Sequence, residues 1–429
     1  MDADTELLAR LVGDVQRFSR EHWGRTPMRR STGARFDDLL SVGAIERLLT
    51  MSARRPTYRL VQDGATLPPD RSSRPVRIAG QRFDDVADLA RVATAVADGA
   101  TLVLQALQRT WLPLATFCRS LEWATSHPVQ ANAYLTPAGA AGLAPHADAH
   151  DVLVLQVMGD KQWEVEGMES ASLSPGDVLY VPAGVRHHAS AQRAASLHIT
   201  LGVLRVTRRQ AIVRLLDSVA GSPLAEPLPL GFDRPEGRAS LVRSLEETVA
   251  VAVDALRAAD VPTWASDELR WRRGGRRPLA LGHLEAVVAL GELDLSSTVL
   301  VHDGPSITLH TDRAPDGRIV LELADRRLLL PPATRPAIEQ LLHDGGARVG
   351  ALAGLSEHDQ AVVASRLVRE GMLRLRRTEG ASFTRGSEED DEQDHDQDDG
   401  ADADVHSDLP SGLGLLLPSP NPARPNKMS

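Results

Sequence analysis

Apolar positions along the chain follow two periods, and the period changes several times between the two ends. Apolar residues three and four positions apart predict helices, whereas short alternating or continuous apolar runs predict strands. Helices are predicted at 5–20, 36–50, 83–98, 112–123, 208–219, 241–259, 336–344 and 357–370. Strands are predicted at 57–61, 100–107, 151–157, 161–166, 297–301, 306–311, 318–323 and 371–375, with loops at 22–30 and 68–74.

This order of elements indicates an α+β protein with a strand-rich centre. The centre spans 96–207, follows a mixed segment at 1–95, and precedes a helical segment at 208–290 and a second mixed segment at 291–378. Residues 379–429 contain thirteen Asp and Glu against three Arg and Lys, so this tail carries the whole net charge of −10. Like charges mixed with Gly, Ser and Pro cannot build a core, so a disordered acidic tail is expected.

The centre contains three residues suited to metal binding. His146 and Asp148 stand two positions apart, a spacing that points both side chains to one face of an extended strand. His187 follows a Gly176 to Gly184 stretch in which a turn, a strand and a Pro/Gly corner precede the histidine. Two histidines and one carboxylate leave positions open, as non-haem Fe(II) oxygenases require, and the helical HExxH pattern of many zinc enzymes is absent. The neighbouring His188 is one residue out of strand register and is predicted to face away.

Lysine usage singles out another residue. The chain has 48 Lys and Arg, yet its only lysines are Lys161 and Lys427, the latter in the tail. An ammonium on a slim stem fits a narrow interior better than a broad guanidinium, which favours a buried role for Lys161. The alternative is an ordinary exposed lysine in a turn. Alternation places Trp163 on the same face.

Five motifs in order resemble one known family. They are Asn132-Ala-Tyr-Leu-Thr-Pro137, Pro145-His-Ala-Asp148, Gly159-Asp-Lys-Gln-Trp163, Gly176-Asp-Val-Leu-Tyr-Val-Pro182 and Ser196-Leu-His-Ile-Thr200. Together they resemble the JmjC-domain cupin oxygenases, in the ribosomal-oxygenase-like (cupin-4) group, and His22-Trp-Gly-Arg-Thr-Pro27 resembles the opening of that family. The resemblance extends from about residue 15 to about residue 378.

The resemblance implies a fold and a reaction. The fold is a double-stranded β-helix barrel with an N-terminal α/β flank, a helical dimerisation region and a C-terminal winged-helix-like domain. The reaction is Fe(II)- and 2-oxoglutarate-dependent hydroxylation of a protein or peptide side chain, such as a ribosomal-protein Arg or His, or of a biosynthetic peptide. The partners expected are that protein or peptide and a second copy of the chain in a homodimer.

The resemblance also assigns site residues. It makes His146, Asp148 and His187 the iron ligands and Lys161 the partner of the distal 2-oxoglutarate carboxylate. Asn132, Tyr134 and Thr200 are assigned to substrate or co-substrate contact, with ordinary strand packing as the alternative for the first two. His198 is expected to be a satisfied core histidine. Some eukaryotic members carry Ser at the position of Gly202, a departure that concerns the substrate pocket.

Three rival functions share part of this pattern. An N-methyl-lysine demethylase would use every site residue named above. A metal-dependent cupin isomerase, or a dioxygenase without 2-oxoglutarate, would leave Lys161 without a role. A non-catalytic cupin/winged-helix binding protein would not need the intact triad. Seven Arg against five Asp and Glu in 335–377 make no basic stripe, so direct nucleic-acid binding is not expected.

Composition limits the cellular compartments in which the protein is expected. No run of eighteen apolar residues occurs, and the acidic amphipathic start lacks the features of a secretory signal, so neither a membrane span nor export is expected. The single cysteine, Cys118, allows no intrachain disulfide and is expected in the core. These features indicate a cytoplasmic protein.

Overall fold

The computed structural model describes residues 3–51, 53–140, 143–191, 193–219, 222–275, 282–302, 307–314, 316–323 and 326–376. The chain divides into two compact units, Met1–Arg376 and Arg377–Ser429, and the second, with the predicted acidic tail, lies outside the described residues. The finer division of the first unit into four segments stays a prediction. Among the described helices, none has the length and apolar character needed to cross a membrane.

Helices and strands alternate through the first unit. The helices are α1 (Ala3–Val12), α2 (Val15–Glu21), α3 (Val42–Thr50), α4 (Leu89–Ala97), α5 (Leu107–Thr110), α6 (Leu112–Thr125), α7 (Arg208–Val219), α8 (Arg238–Ala258), α9 (Val261–Gly275), α10 (His283–Val288), α11 (Arg335–Asp344) and α12 (Glu357–Arg369). The first thirteen strands are β1 (Met28–Ser31), β2 (Tyr58–Gln62), β3 (Ala65–Thr66), β4 (Ser73–Ile78), β5 (Gln81–Ala87), β6 (Thr101–Leu104), β7 (Val129–Thr136), β8 (Asp151–Met158), β9 (Lys161–Val165), β10 (Ala171–Leu173), β11 (Asp177–Val181), β12 (His187–Ala191) and β13 (Ser196–Val203). The C-terminal strands are β14 (Thr298–Val301), β15 (Thr308–Arg313), β16 (Ile319–Glu322), β17 (Arg327–Leu330), β18 (Gly346–Arg348) and β19 (Leu373–Leu375).

Two antiparallel sheets build the centre of the molecule. The larger has the strand order β1-β11-β8-β13-β7-β6-β2-β3, and the smaller has the order β10-β9-β12. Side chains from both sheets share one core, in which Val152 and Val154 of β8 pack with Trp163 and Val165 of β9. The sheets therefore pack face to face around an interior.

Strand β8 is buried on both faces, which explains its continuous apolar sequence. Val152 and Val154 point into the space between the sheets, whereas Leu153 and Leu155 point outward. The outward residues join a large core with the N-terminal helices, including Leu11 of α1. A run of apolar residues without alternation is what a strand covered on both sides needs.

The N-terminal predictions need four corrections. The helix predicted at 5–20 breaks between α1 and α2, because Gly13 adopts φ +82° and the Asp14 side chain accepts a hydrogen bond from Arg17 N at 3.0 Å. The helix predicted at 36–50 begins only at Val42, after the Ser41 cap.

The other two corrections concern strands. The helix predicted at 83–98 is wrong over its first turn, since 83–87 belongs to β5. Strand β5 pairs with β4, which begins within the predicted loop at 68–74 and continues past its end. The predicted loop at 22–30 ends in β1, which pairs with β11 from Met28–Tyr180 to Ser31–Asp177.

A second core forms in the C-terminal part of the unit. Sheets β18-β14-β19 and β15-β16-β17 pack with α10, α11 and α12 around buried residues such as Ile319, Ile338 and Leu367. The predicted helices and strands of this part are present, and β17, β18 and α10 were not predicted. The winged-helix assignment itself stays a prediction.

The helical segment exposes an apolar surface. Helix α8 contains no buried residue, and Leu245, Val249 and Val253 of its predicted apolar stripe are 46%, 61% and 38% exposed. The described residues therefore leave this stripe largely uncovered.

Candidate metal and co-substrate site

The fold brings the three predicted ligands together. His146 and Asp148 lie between β7 and β8, and His187 is the first residue of β12. His146 and His187 form an isolated β-bridge, with His187 N donating to His146 O at 2.8 Å and His146 N donating to His187 O at 3.1 Å. One ligand atom from each of the three side chains lies within 4.8 Å of the other two. The backbone bridge thus fixes the spacing of ligands that are far apart in sequence.

Both histidines present the same nitrogen to this cluster. His146 Nδ1 lies 2.9 Å from Ala144 O, and His187 Nδ1 lies 3.0 Å from Val185 O. A carbonyl accepts only, so each Nδ1 carries a proton, and Nε2 is the nitrogen whose lone pair a metal could use once Nε2 is deprotonated. The Nε2 atoms of His187 and His146 lie 3.5 and 4.0 Å from Asp148 Oδ2. Two neutral imidazoles and a carboxylate form a ligand set suited to a divalent cation.

Asp148 stays ionised beside these rings. The hydrogen bond from His187 lowers the pKa of the Asp148 carboxyl, against the opposing effect of partial burial. Burial is the largest single influence on His187 and lowers its pKa. The hydrogen bonds to Asp148 and to Val185 O, together with the Asp148 charge, outweigh burial and raise the pKa of that ring. Both pKa shifts apply to the cluster without a cation. A bound cation would replace the proton that lies between His187 and Asp148.

His188 does not join the cluster. Its Nε2 lies 3.6 Å from the Glu164 carboxylate, although the residue also borders the cavity. The register argument therefore identified which of the adjacent histidines belongs to the cluster.

Lys161 lies inside the same cavity. Its side chain is 2% exposed, and Nζ donates a hydrogen bond to Thr136 Oγ1 at 2.9 Å. Burial lowers the pKa of the amine from 10.5 to about 7. No ion pair of Lys161 with a carboxylate occurs among the described residues. The alternative of an exposed turn lysine is thus wrong.

The remaining predicted site residues also line the cavity. Its wall consists of Thr101, Asn132, Tyr134, Leu143, His146, Asp148, His150, Val152, Lys161, Trp163, His187, His188, Ala189, His198 and Thr200. Asn132 Oδ1 accepts a hydrogen bond from Ala106 N at 3.0 Å, so its carbonyl is already engaged. Burial raises the pKa of Tyr134, which keeps the phenol neutral.

His198 differs from its prediction. A satisfied core histidine was expected, but Nδ1 is enclosed and has no hydrogen-bond partner in the part of the chain that the structure describes. The ring stacks on Tyr134 with centroids 4.8 Å apart and planes 3° apart, and meets the Trp163 ring edge-on at 5.4 Å.

Sequence reasoning missed the residues that hold the corner before His187. The buried Asp151 accepts hydrogen bonds from Tyr180 OH at 2.9 Å and Ala183 N at 2.7 Å, and pairs with Arg205 at 3.2 Å. Tyr180 OH in turn accepts from Gly24 N at 2.7 Å. The only sequence signal was that Gly24 and Tyr180 both fall within motifs.

A second missed group lies at the wall beside Asp148. Gln130 Nε2 and His150 Nε2 are 3.1 Å apart, and His150 lines the cavity. A Cβ at Gly202 would overlap the His150 ring and touch Gln130. Glycine at 202 therefore makes room for the imidazole.

Comparison with known proteins agrees with this geometry. The family model described as JmjC domain matches residues 108–172 and 166–211. Residues 108–211 are thus similar to the JmjC-domain family, which confirms the resemblance predicted from the motifs.

Curated relatives match part of the chain. It is 30% identical over 273 residues to the bifunctional lysine-specific demethylase and histidyl-hydroxylase NO66 of Branchiostoma floridae, covering 53% of this chain and 44% of the relative. It is 38% identical over 109 residues to NO66 of Dictyostelium discoideum, covering 20% and 21%. The chain thus spans less than half the length of these relatives.

The Escherichia coli ribosomal oxygenase YcfD is among the solved structures that align with the chain. The match has a TM-score of 0.44 at 17% identity and covers 85% of this chain and 98% of that one. A complex of YcfD with cobalt and 2-oxoglutarate gives the same TM-score and identity, covering 85% and 99%.

Proposed function

We propose that the chain is an Fe(II)- and 2-oxoglutarate-dependent oxygenase that hydroxylates a side chain of a protein or peptide. One observation carries the proposal: the His146–Asp148–His187 cluster and the buried Lys161 border a single cavity. A metal-binding cluster alone fits many enzymes. A buried amine without a carboxylate partner beside it calls for an anionic ligand.

The residues present fit both groups. The two Nε2 lone pairs and the Asp148 carboxylate would hold Fe(II) on one side and leave its other positions to ligands. Lys161 Nζ would hold the distal carboxylate of 2-oxoglutarate, and Trp163 and His198, each with a buried nitrogen that lacks a partner among the described residues, border the same cavity. When bound, the iron and 2-oxoglutarate supply the activation of O₂ for C–H hydroxylation, with release of succinate and CO₂.

The chain itself contributes position and exclusion of water. The His146–His187 bridge holds the two rings at a fixed separation, and the carbonyl bonds to each Nδ1 fix their orientation. Trp163 and Val152 line the cavity with apolar surface, which limits water near the metal. Lys161 orients the co-substrate through a charge fixed at the far end.

Turnover of 2-oxoglutarate tests this proposal. Purified protein with Fe(II), ascorbate and O₂ should form succinate slowly even without a substrate. His146→Ala should abolish this formation, and Lys161→Ala should raise the 2-oxoglutarate concentration required. Wild-type protein that binds neither metal nor 2-oxoglutarate would support the non-catalytic alternative. Binding of metal without 2-oxoglutarate would support a cupin enzyme of another class.

The relatives named as bifunctional lysine-specific demethylase and histidyl-hydroxylase favour a second candidate activity, N-methyl-lysine demethylation. Both reactions begin with hydroxylation of a C–H bond, so the site described above serves either. Incubation with ribosomal proteins and with methylated histone peptides distinguishes them. Hydroxylation adds one oxygen atom to a peptide, whereas demethylation removes a methyl group and releases formaldehyde.

We also propose that the helical segment forms a homodimer interface. The uncovered stripe of Leu245, Val249 and Val253 on α8 supports it, because a contiguous exposed apolar face commonly marks a protein interface. Light scattering after size-exclusion chromatography should give twice the mass of the chain. Val249→Asp should shift it to the mass of one chain.

A further inference from the structure

Several residues that border the cavity have buried polar atoms short of hydrogen-bond partners. Among the described residues, Lys161 Nζ has only the Thr136 hydroxyl as a partner, and Trp163 Nε1 and His198 Nδ1 have none. Buried donors normally find acceptors, so the Lys161 ammonium and the Trp163 N–H, both short of acceptors, indicate a missing ligand that accepts hydrogen bonds. Lys161 was assigned a role above, whereas His198 was not.

The His198 ring is held in place. It lies on β13, which pairs with β7 on one side and β8 on the other, near the middle of the larger sheet. Stacking on Tyr134 and edge contact with Trp163 restrict rotation about χ2. The ring therefore cannot turn to satisfy Nδ1 elsewhere, and its orientation is set before any ligand arrives.

The protonation state of the ring follows from its surroundings. Burial, and then the nearby Lys161 charge, lowers the pKa of His198 well below 6.5, so the ring is neutral and carries one proton. An enclosed N–H without an acceptor is rarer in proteins than an enclosed acceptor without a donor. Nδ1 is therefore the bare nitrogen, and Nε2 carries the proton.

We propose that His198 binds the co-substrate, with Nε2–H donating to the distal carboxylate of 2-oxoglutarate beside Lys161 Nζ. The ring and the amine belong to opposite sheets, on β13 and β9, and both border the cavity. A neutral donor adds a hydrogen bond without placing a second positive charge next to the buried ammonium. This assignment rests on the proposed function and extends it to a residue that selects for a dicarboxylic 2-oxo acid.

Calorimetry on the Mn(II)-loaded full chain, without O₂, tests the assignment. His198→Phe keeps a ring but removes both nitrogens, His198→Gln retains a donor near the Nε2 position, and His198→Asn retains one near Nδ1. His198→Phe and His198→Asn should weaken 2-oxoglutarate binding about 10- to 100-fold, as expected for a lost hydrogen bond to a charged group. His198→Gln should stay within roughly threefold of wild type, a loss well under 1 kcal/mol.

Oxalate serves as the matched control ligand. It chelates a metal through two carboxylates but has no distal carboxylate, so all four proteins should bind it with equal affinity. Unchanged 2-oxoglutarate affinity in His198→Phe would overturn the assignment. Equal weakening for oxalate and 2-oxoglutarate would do so too, because it would show general damage to the cavity. If His198→Asn kept its 2-oxoglutarate affinity while His198→Gln lost it, the donor would be Nδ1 and not Nε2, which would contradict the assignment. Wild-type protein that binds oxalate but not 2-oxoglutarate would refute the proposed function instead.

Discussion

Lys161 makes 2-oxoglutarate binding depend on pH in a defined direction. The amine is 2% exposed, and burial lowers its pKa from 10.5 to about 7. At about 1.4 kcal/mol per pKa unit, holding the charge in the free protein costs about 5 kcal/mol. A bound carboxylate favours the charged amine, so above pH 7 ligand binding is accompanied by uptake of a proton by Lys161.

The expected dissociation constant follows from that linkage. It should be nearly constant below about pH 6 and rise roughly 50-fold between pH 7 and pH 9, because the charged fraction of the free amine falls over that range. Proton uptake on binding should be about one half at pH 7 and close to one at pH 8.5. Calorimetry of the Mn(II)-loaded protein in buffers of different ionisation enthalpy measures both quantities. Oxalate, which does not reach the amine, supplies the correction for the metal centre.

Stability provides an independent readout of the same group. The unfolded chain binds more protons than the folded chain between pH 7 and pH 10.5, so the contribution of Lys161 to stability rises across that window. Lys161→Met should therefore stabilise the free protein by up to several kcal/mol below pH 7, with the gain vanishing above pH 10.5. Absence of proton uptake at pH 8.5, together with equal stability of the variant at pH 6, would refute the reasoning.

Three further outcomes follow from the geometry. His187→Ala should weaken Mn(II) binding more than roughly 100-fold, because removing a ligand costs more than the roughly 10- to 100-fold loss caused by changing a residue that only supports a ligand. His188→Ala should leave Mn(II) binding unchanged. Titration calorimetry measures both affinities, and an equal loss in the two variants would contradict the assignment of His187 as the ligand. Gly202→Ala should destabilise by about 1–3 kcal/mol in urea unfolding, because its methyl group overlaps the His150 ring, and His150→Ala in the same chain should recover most of the loss; no recovery would exclude the overlap as the cause. Tyr180→Phe should cost about 1–3 kcal/mol by the same assay, since the buried hydroxyl loses two hydrogen bonds, and a neutral result would show that water replaces them.

The metal cluster was accessible to sequence reasoning because its signals are local. His146 and Asp148 are two positions apart, and the Pro/Gly corner at Pro182 to Gly184 directly precedes His187. Lys161 was found from composition as well as from its motif, since no other lysine lies outside the tail. Each of these signals is carried by residue types that few other positions in the chain share.

Long-range pairing accounts for most of what was missed. Strand β1 is stabilised by β11, about 150 residues away, so no window around residue 28 contains the information. The segment 83–87 has helical spacing of its apolar residues, but pairing with β4 overrides that local pattern. The orientation of the His198 ring depends on contacts with Tyr134 and Trp163, which belong to two different sheets. No sequence pattern predicts that one of its nitrogens lacks a hydrogen-bond partner.

The link from Gly24 through Tyr180 to Asp151 bears on where the protein can be cut. The family match begins at residue 108, yet β1 closes one edge of the larger sheet and Gly24 N supports the tyrosine that holds the corner before His187. A fragment trimmed to the matched residues would expose the backbone edge of β11 and leave Asp151 short of a donor. Shortened forms of the protein should therefore keep the residues up to Ser31. Insertions between α2 and β1 should be tolerated less well than their position before the matched domain suggests.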